Sequence, residues 1–166
     1  MHEIGLTHGA VLEKGCVYVV PLIESLSLPA GMTAAASAKS SIGRLDLLTR
    51  VITDYGFEFD RVPDGYTGPL FVEICPRSFS VVAQTGQMLN QIIFRNGKTV
   101  MSDAELQTLH ETTPIVSGDA IISDGLGFSV DLKPQDTDLV GYRAKPHTGV
   151  IDLGKLGYYD PAEYWE

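Results

Sequence analysis

Short apolar runs recur along this chain at intervals of roughly 8–12 residues, most of them separated by glycine- or proline-bearing turns. Val17–Leu22, Leu47–Thr53, Leu70–Cys75, Phe79–Ala83 and Leu89–Arg95 are short and rich in β-branched or aromatic residues. Ser25-Leu26-Ser27-Leu28 alternates polar and apolar with period two. Turns are predicted at Pro29-Ala30-Gly31, Pro63-Asp64-Gly65, Gln84-Thr85-Gly86 and Asn96-Gly97. A chain of 166 residues with 17 glycines and 9 prolines arranged this way points to a mainly β fold, a barrel or jelly-roll-like sandwich.

One helix interrupts the rhythm. Ser102-Asp103-Ala104-Glu105 is a capping-box pattern, Leu106 and Leu109 continue one face, and Pro114 ends it. A shorter helix can open within Ala38–Leu45, with Ser40 or Ser41 as N-cap, after the small-residue run Met32–Ala38. Tyr55–Asp60 reads as a polar-aromatic insertion. Beyond Gly118, strand-like pieces return at Gly127–Leu132, Leu139–Ala144 and Gly149–Asp152. The expected organisation is a main β part over 1–98, a linker helix over 99–117 and a strand-rich extension over 118–166.

Twelve Lys and Arg against 21 Asp and Glu leave a formal net charge of −9. That charge argues against non-specific nucleic-acid binding and against an anionic membrane surface. No window reaches about 18 consecutive apolar residues, so no membrane span is expected. Residues Met1–Lys14 lack a basic-then-apolar signal pattern, and a cytoplasmic location is the expectation. Cys16 and Cys75 form no CxxC and are expected to be small buried apolar residues. The four histidines have no metal-ligand spacing, so no metal site is expected. An HxE with a downstream CxxC is missing, and zinc-dependent nucleobase deamination is excluded on that motif. Neither a GxxxxGK[ST] phosphate loop nor a GxSxG elbow occurs.

Three segments carry candidate chemistry. Glu73 lies within Phe71-Val72-Glu73-Ile74-Cys75; a buried carboxylate there suits proton transfer, whereas period two equally allows a water-facing side chain. Lys39-Ser40-Ser41-Ile42-Gly43-Arg44 sets two cations around two hydroxyls, either an anion site or a capped surface helix. Arg61-Val62-Pro63-Asp64-Gly65-Tyr66-Thr67-Gly68 places Arg61 and Asp64 around a turn, suited to a sugar or phosphate but common for structural reasons alone.

In this order the segments resemble the dCTP deaminase branch of the trimeric dUTPase-like superfamily. Ala38–Leu45 is similar to the family's [R/K]-S-S-x-[AG]-R motif, Arg61–Gly68 to its R-[IV]-D-P-G-[WY]-[ST]-G turn, and Pro69–Ile74 to the strand ending in the deaminase glutamate. Gly86–Phe94 resembles the late G-x-x-x-x-Q-[LI]-x-F strand. The resemblance implies a dUTPase-like distorted β-barrel and zinc-free deamination of dCTP to dUTP and ammonia. It implies Glu73 as the group that takes a proton from water, and Ser40 and Arg44 as positioning the water and the C4 substituent, with Arg44 also holding Glu73 ionised. Lys39, Ser40 and Ser41 would bind the triphosphate, with Mg2+ on the phosphate oxygens. Backbone groups over Val51–Thr53 would read the cytosine edge. Family sites lie between subunits of a homotrimer, which implies that Gln91 and Arg61 serve a neighbour's nucleotide.

The chain departs from the pattern in three places. Pro63 stands where the family carries a sugar-side Asp, so that carboxylate is either displaced to Asp64 or lost. Tyr55–Asp60 is extra. The family's opening motif is missing ahead of residue 39, and a similar string, Phe128-Ser129-Val130-Asp131-Leu132-Lys133, follows the helix instead. That order fits the back of one repeat, a linker helix and the front of a next repeat, or a permuted barrel in which Phe128–Asp152 folds back. The alternatives to deamination are dUTP diphosphatase, which needs an Asp on the turn strand, and a non-catalytic nucleotide-binding or assembly module.

Overall fold

A computed structural model describes residues 3–97, 100–133 and 138–166. The chain divides into two compact units, Met1–Asn96 with Tyr142–Glu166, and Gly97–Gly141. The extension expected over 118–166 is therefore split, its last part belonging with the main β unit.

In the first unit the strands are β1 (Ala10–Leu12), β2 (Tyr18–Ser27), β3 (Met32–Ala38), β4 (Leu47–Thr53), β5 (Arg61–Val62), β6 (Thr67–Pro76), β7 (Val81–Ala83) and β8 (Asn90–Asn96). The short helix α1 (Ser40–Gly43) joins β3 to β4. The strands form three three-stranded sheets, ordered β2-β6-β4, β5-β3-β8 and β1-β7 with a late strand, Ile151–Asp152, pairing parallel to β7. Alternation explains the central sheet. Leu47, Thr49, Val51 and Thr53 of β4 turn inward with Leu70, Val72 and Ile74 of β6, while Leu48, Arg50, Phe71 and Glu73 take the other face. The inward faces meet Leu12, Ile42, Phe79, Val81, Ala83, Ile151 and Tyr164 in one core. Burying each large apolar side chain there contributes about 1.5–3 kcal/mol.

The second unit contains α2 (Asp103–Thr112), β9 (Ile121–Ile122) and β10 (Leu126–Gly127). The capping box forms as predicted: the Ser102 hydroxyl accepts from the Glu105 N–H, and the Glu105 carboxylate accepts from the Ser102 N–H at 2.7 Å. Asp103 accepts from the N–H groups of Asp124 and Gly125, each at 3.0 Å, fastening the β9–β10 turn to the start of α2. In chain order the late strand of the first unit is β11 (Ile151–Asp152), and α3 (Pro161–Tyr164) closes the list.

Several expectations are corrected. Val17–Leu22 and Ser25–Leu28 merge into the single strand β2, with a register shift between Pro21 and Ser25. Pro21 has no N–H to give the ladder, and a bulge absorbs the loss. The run Met32–Ala38 is a strand although alanine is depleted in strands; its neighbours β5 and β8 supply the hydrogen bonds. Phe128, Val130 and Leu132 are exposed, and the strand does not continue over 128–133, because the alternating pattern finds no sheet to pack on. Over 139–144 only Ala144 pairs, in a single bridge to Trp165, so among the described residues of 128–152 only Ile151–Asp152 joins the sheet by strand pairing. Cys75 is buried, but Cys16 lies exposed after the turn at Glu13. Lys39, not Ser40 or Ser41, is the N-cap of α1. Among the described residues no helix is long and apolar enough to cross a membrane.

Candidate active site

Glu73 sits mid-strand in β6, the central strand of its sheet, directly opposite Arg50 of β4. Its side chain is on the face away from Val72 and Ile74, yet it is only 16% exposed because Arg50 covers it. Arg50 Nη2 donates to Glu73 Oε1 at 2.5 Å, and Arg50 Nε donates to the same oxygen at 3.1 Å. Behind the guanidinium lies Phe59, its ring centroid 3.7 Å from Cζ. Charge-assisted hydrogen bonds and stacking on an aromatic face both favour arginine at such a position. Around this ion pair the outer face is apolar, with Val19, Leu48 and Phe59 exposed.

The hydroxyl-rich segment forms a second group. With Lys39 as N-cap making no side-chain cap bond, capping consumes neither the Ser40 nor the Ser41 hydroxyl, and both residues are exposed. Lys39 donates its N–H to the Leu89 carbonyl at 2.9 Å, tying α1 to the start of β8. Gln91 pairs opposite Ser37, its Nε2 donating to Ser37 Oγ at 3.3 Å, so Gln91 lies beside the approach to α1. Arg44 is the exposed C-cap of α1. Two cations, two free hydroxyls and an amide make this edge suited to an anion in an otherwise acidic chain.

The two groups are not joined within one chain. Among the described residues no hydrogen bond or ion pair links Ser40, Ser41 or Arg44 to Glu73, and within the chain the ion partner of Glu73 is Arg50. Leu47, which opens β4, pairs with Pro76, and Arg50 is three residues further, about 10 Å along the strand.

The remaining expected residues are drawn into local structure. The Val51 backbone is bound to Asp60: its N–H donates to Asp60 Oδ1 and its C=O accepts from the Asp60 N–H, both at 2.8 Å. Thr53 is buried, its carbonyl accepts from Gly56 N–H, and its hydroxyl has no partner. Arg61 pairs with Glu58 at 3.0 Å on the surface. Asp64 accepts from the Gly31 N–H at 2.6 Å, which makes it a lock between two turns. Asp60 holds a left-handed backbone (φ 61°) to reach Val51. Replacing it by alanine is expected to lower stability by about 1–2 kcal/mol, read as a lower denaturant midpoint at unchanged slope.

A cavity of about 420 Å³ opens on the other side of the central sheet, lined by Val20, Leu22, Val51, Val72, Ile74 and Ile92 among others. Its walls are mostly apolar, and the Arg50–Glu73 pair lies on the opposite face of the sheet.

Comparison with known proteins places these features. The N-terminal domain model of 2'-deoxycytidine 5'-triphosphate deaminase matches residues 1–98, and the C-terminal domain model of the same enzyme matches residues 102–166. The crystal structure of 2'-deoxycytidine 5'-triphosphate deaminase from Agrobacterium tumefaciens is 50% identical in sequence, with a TM-score of 0.82, and the match covers 100% of this chain and 50% of that one. The chain thus spans half the length of that relative. No curated protein matches it. With both domain models matched over nearly its whole length, the chain belongs to the dCTP deaminase family.

Proposed function

We propose that this chain takes part in the hydrolytic deamination of dCTP, in which water and dCTP give dUTP and ammonia without zinc. The observation that carries the reading is Glu73, a carboxylate held on the strand where the family motif puts its glutamate, with one oxygen bound and the other unengaged. Glu73 takes a proton from water as the water oxygen bonds to C4 of cytosine. It then returns that proton to the ring nitrogen, the new C4 hydroxyl gives its own proton by way of Glu73 to the amine as the carbonyl forms, and the C4–N bond breaks to release ammonia. Ser40 and Arg44 orient the water and the C4 amine. Lys39, Ser40 and Ser41 take the triphosphate, helped by Gln91 and Arg61. The donors around α1 are hydroxyls and cations, so Mg2+ would be held by the phosphate oxygens rather than by the protein.

A homotrimer with shared sites accounts for the two separate groups: Glu73 of one subunit meets α1 of another. The apolar residues Val19, Leu48 and Phe59 around the ion pair are a surface that such a contact would cover. Cys16 and Cys75 are free thiols, in keeping with a reducing cytoplasm. On the turn, Pro63 and the engaged Asp64 leave no carboxylate for diphosphatase chemistry.

The test offers dCTP and dUTP separately and follows ammonia and pyrophosphate. Ammonia from dCTP is the expected result. Pyrophosphate from dUTP without ammonia would replace this reading by dUTP diphosphatase, and neither product would leave a binding or assembly module.

A further inference from the structure

Arg50 was not among the residues that the sequence singled out, and its geometry does more than neutralise a carboxylate. Both of its donors, Nη2 at 2.5 Å and Nε at 3.1 Å, converge on Oε1 of Glu73. Among the described residues Oε2 of Glu73 accepts no hydrogen bond. Arginine more often meets a carboxylate side by side, one donor to each oxygen. Here the side-by-side arrangement is given up, and one oxygen is anchored while the other is left open.

The anchor is itself fixed. The Phe59 ring lies 3.7 Å from Arg50 Cζ, and the cross-strand register sets Arg50 directly opposite Glu73. A guanidinium stacked on one side and hydrogen-bonded at its edge has lost most of its rotamer freedom, so the carboxylate it holds is pre-set in direction. Phe59 comes from the loop that follows β4, which is the segment pinned to Val51 by Asp60. Loop, arginine and glutamate therefore form one chain of contacts ending at Oε2.

We infer that Arg50 is a positioning residue: clamped between Phe59 and Oε1, it aims Oε2 of Glu73 as the oxygen that accepts the proton from water. This rests on the deaminase reading above. In the step itself a water O–H bond breaks and Oε2 gains the proton, the water oxygen gains its bond to C4 as the C4–ring nitrogen double bond opens and its electron pair moves to the ring nitrogen, and Oε1 stays on the guanidinium throughout. No other co-reactant is needed.

Two measurements on the full chain test it. In the first, ammonia release from dCTP is compared for wild type, Arg50→Lys and Arg50→Ala. Loss of alignment at this distance lowers kcat of Arg50→Ala by about 100-fold while KM for dCTP stays within about threefold. Arg50→Lys, which keeps the charge but not the paired donors, recovers only a small part, and added millimolar guanidinium raises the rate of Arg50→Ala but not of Arg50→Lys. Unchanged kcat in Arg50→Ala, full activity in Arg50→Lys, or a loss confined to KM overturns the inference. In the second, the Nε–H of Arg50 is followed by nitrogen-15 NMR. A slowly exchanging signal that disappears in Glu73→Ala supports the clamp; exchange at the free-arginine rate in wild type overturns it. If wild type releases no ammonia, the deaminase reading fails on the first measurement, and the clamp is still decided by the second.

Discussion

Glu73→Gln is expected to abolish ammonia release from dCTP, with kcat lowered by about 10,000-fold, at the upper end of what a positioned proton acceptor contributes. That factor corresponds to about 5.4 kcal/mol of transition-state stabilisation. The substitution keeps size and leaves a carbonyl oxygen for Arg50 to bind, so the sheet register at Arg50 and Glu73 is retained. What is lost is the basic oxygen that takes the proton from water. Because Glu73 serves the reacting end and not the phosphates, dCTP binding measured by calorimetry should stay within about threefold of wild type. Arg50, 35% exposed, then faces a neutral amide, and the stability cost stays near about 1 kcal/mol or less. A variant that releases ammonia at the wild-type rate would remove Glu73 from the chemistry, and one that no longer binds dCTP would recast it as a binding residue.

The strand-rich fold was legible because apolar alternation in Leu47–Thr53 and Leu70–Ile74 is dictated by a sheet with one buried face. Glu73 stood out for the same reason, as a carboxylate interrupting an apolar strand. Arg50 interrupts β4 in the same way, but its meaning depends on register, and the long connection between β4 and β6 specifies none. Phe59 was hidden for a similar reason: an exposed loop aromatic gains its role only when the loop folds back onto β4. The small-residue strand β3 lacked a β signature and is a strand only because β5 and β8 flank it. The opposite error came at Phe128–Leu132, where period two was present and a partner strand was not. Asp60 and Asp64 show the limit for turns. Sequence marks such residues as turn formers, but which backbone N–H each carboxylate caps, Val51 for one and Gly31 for the other, is a tertiary fact.

Phe79→Ala is expected to cost about 3–5 kcal/mol of stability, enough to unfold a large part of a marginal domain. Phe79 is 1% exposed and lies in the core with Leu12, Val81 and Ile151. Its ring also makes edge contacts with Tyr164, centroids 5.5 Å apart, and with Trp165 at 5.4 Å. Those two rings belong to the late segment 142–166, which is also joined to residues before 97 by the two-residue strand β11 and by Leu153 and Tyr159 packed against the core. Within that segment, Arg143 and Glu166 exchange backbone hydrogen bonds at 2.6 and 2.8 Å, and their side chains pair as well, so the segment closes on itself and docks through its aromatics. Removing the Phe79 ring deletes the surface that receives them and leaves a cavity in the core. Phe79→Leu, which refills part of that volume, should cost clearly less. Trp165 is the only tryptophan in the chain, so its fluorescence during denaturant unfolding reports on this contact directly. Equal fluorescence midpoints for wild type and Phe79→Ala would mean that the late segment docks without the Phe79 ring, through β11 and the packing of Leu153 and Tyr159.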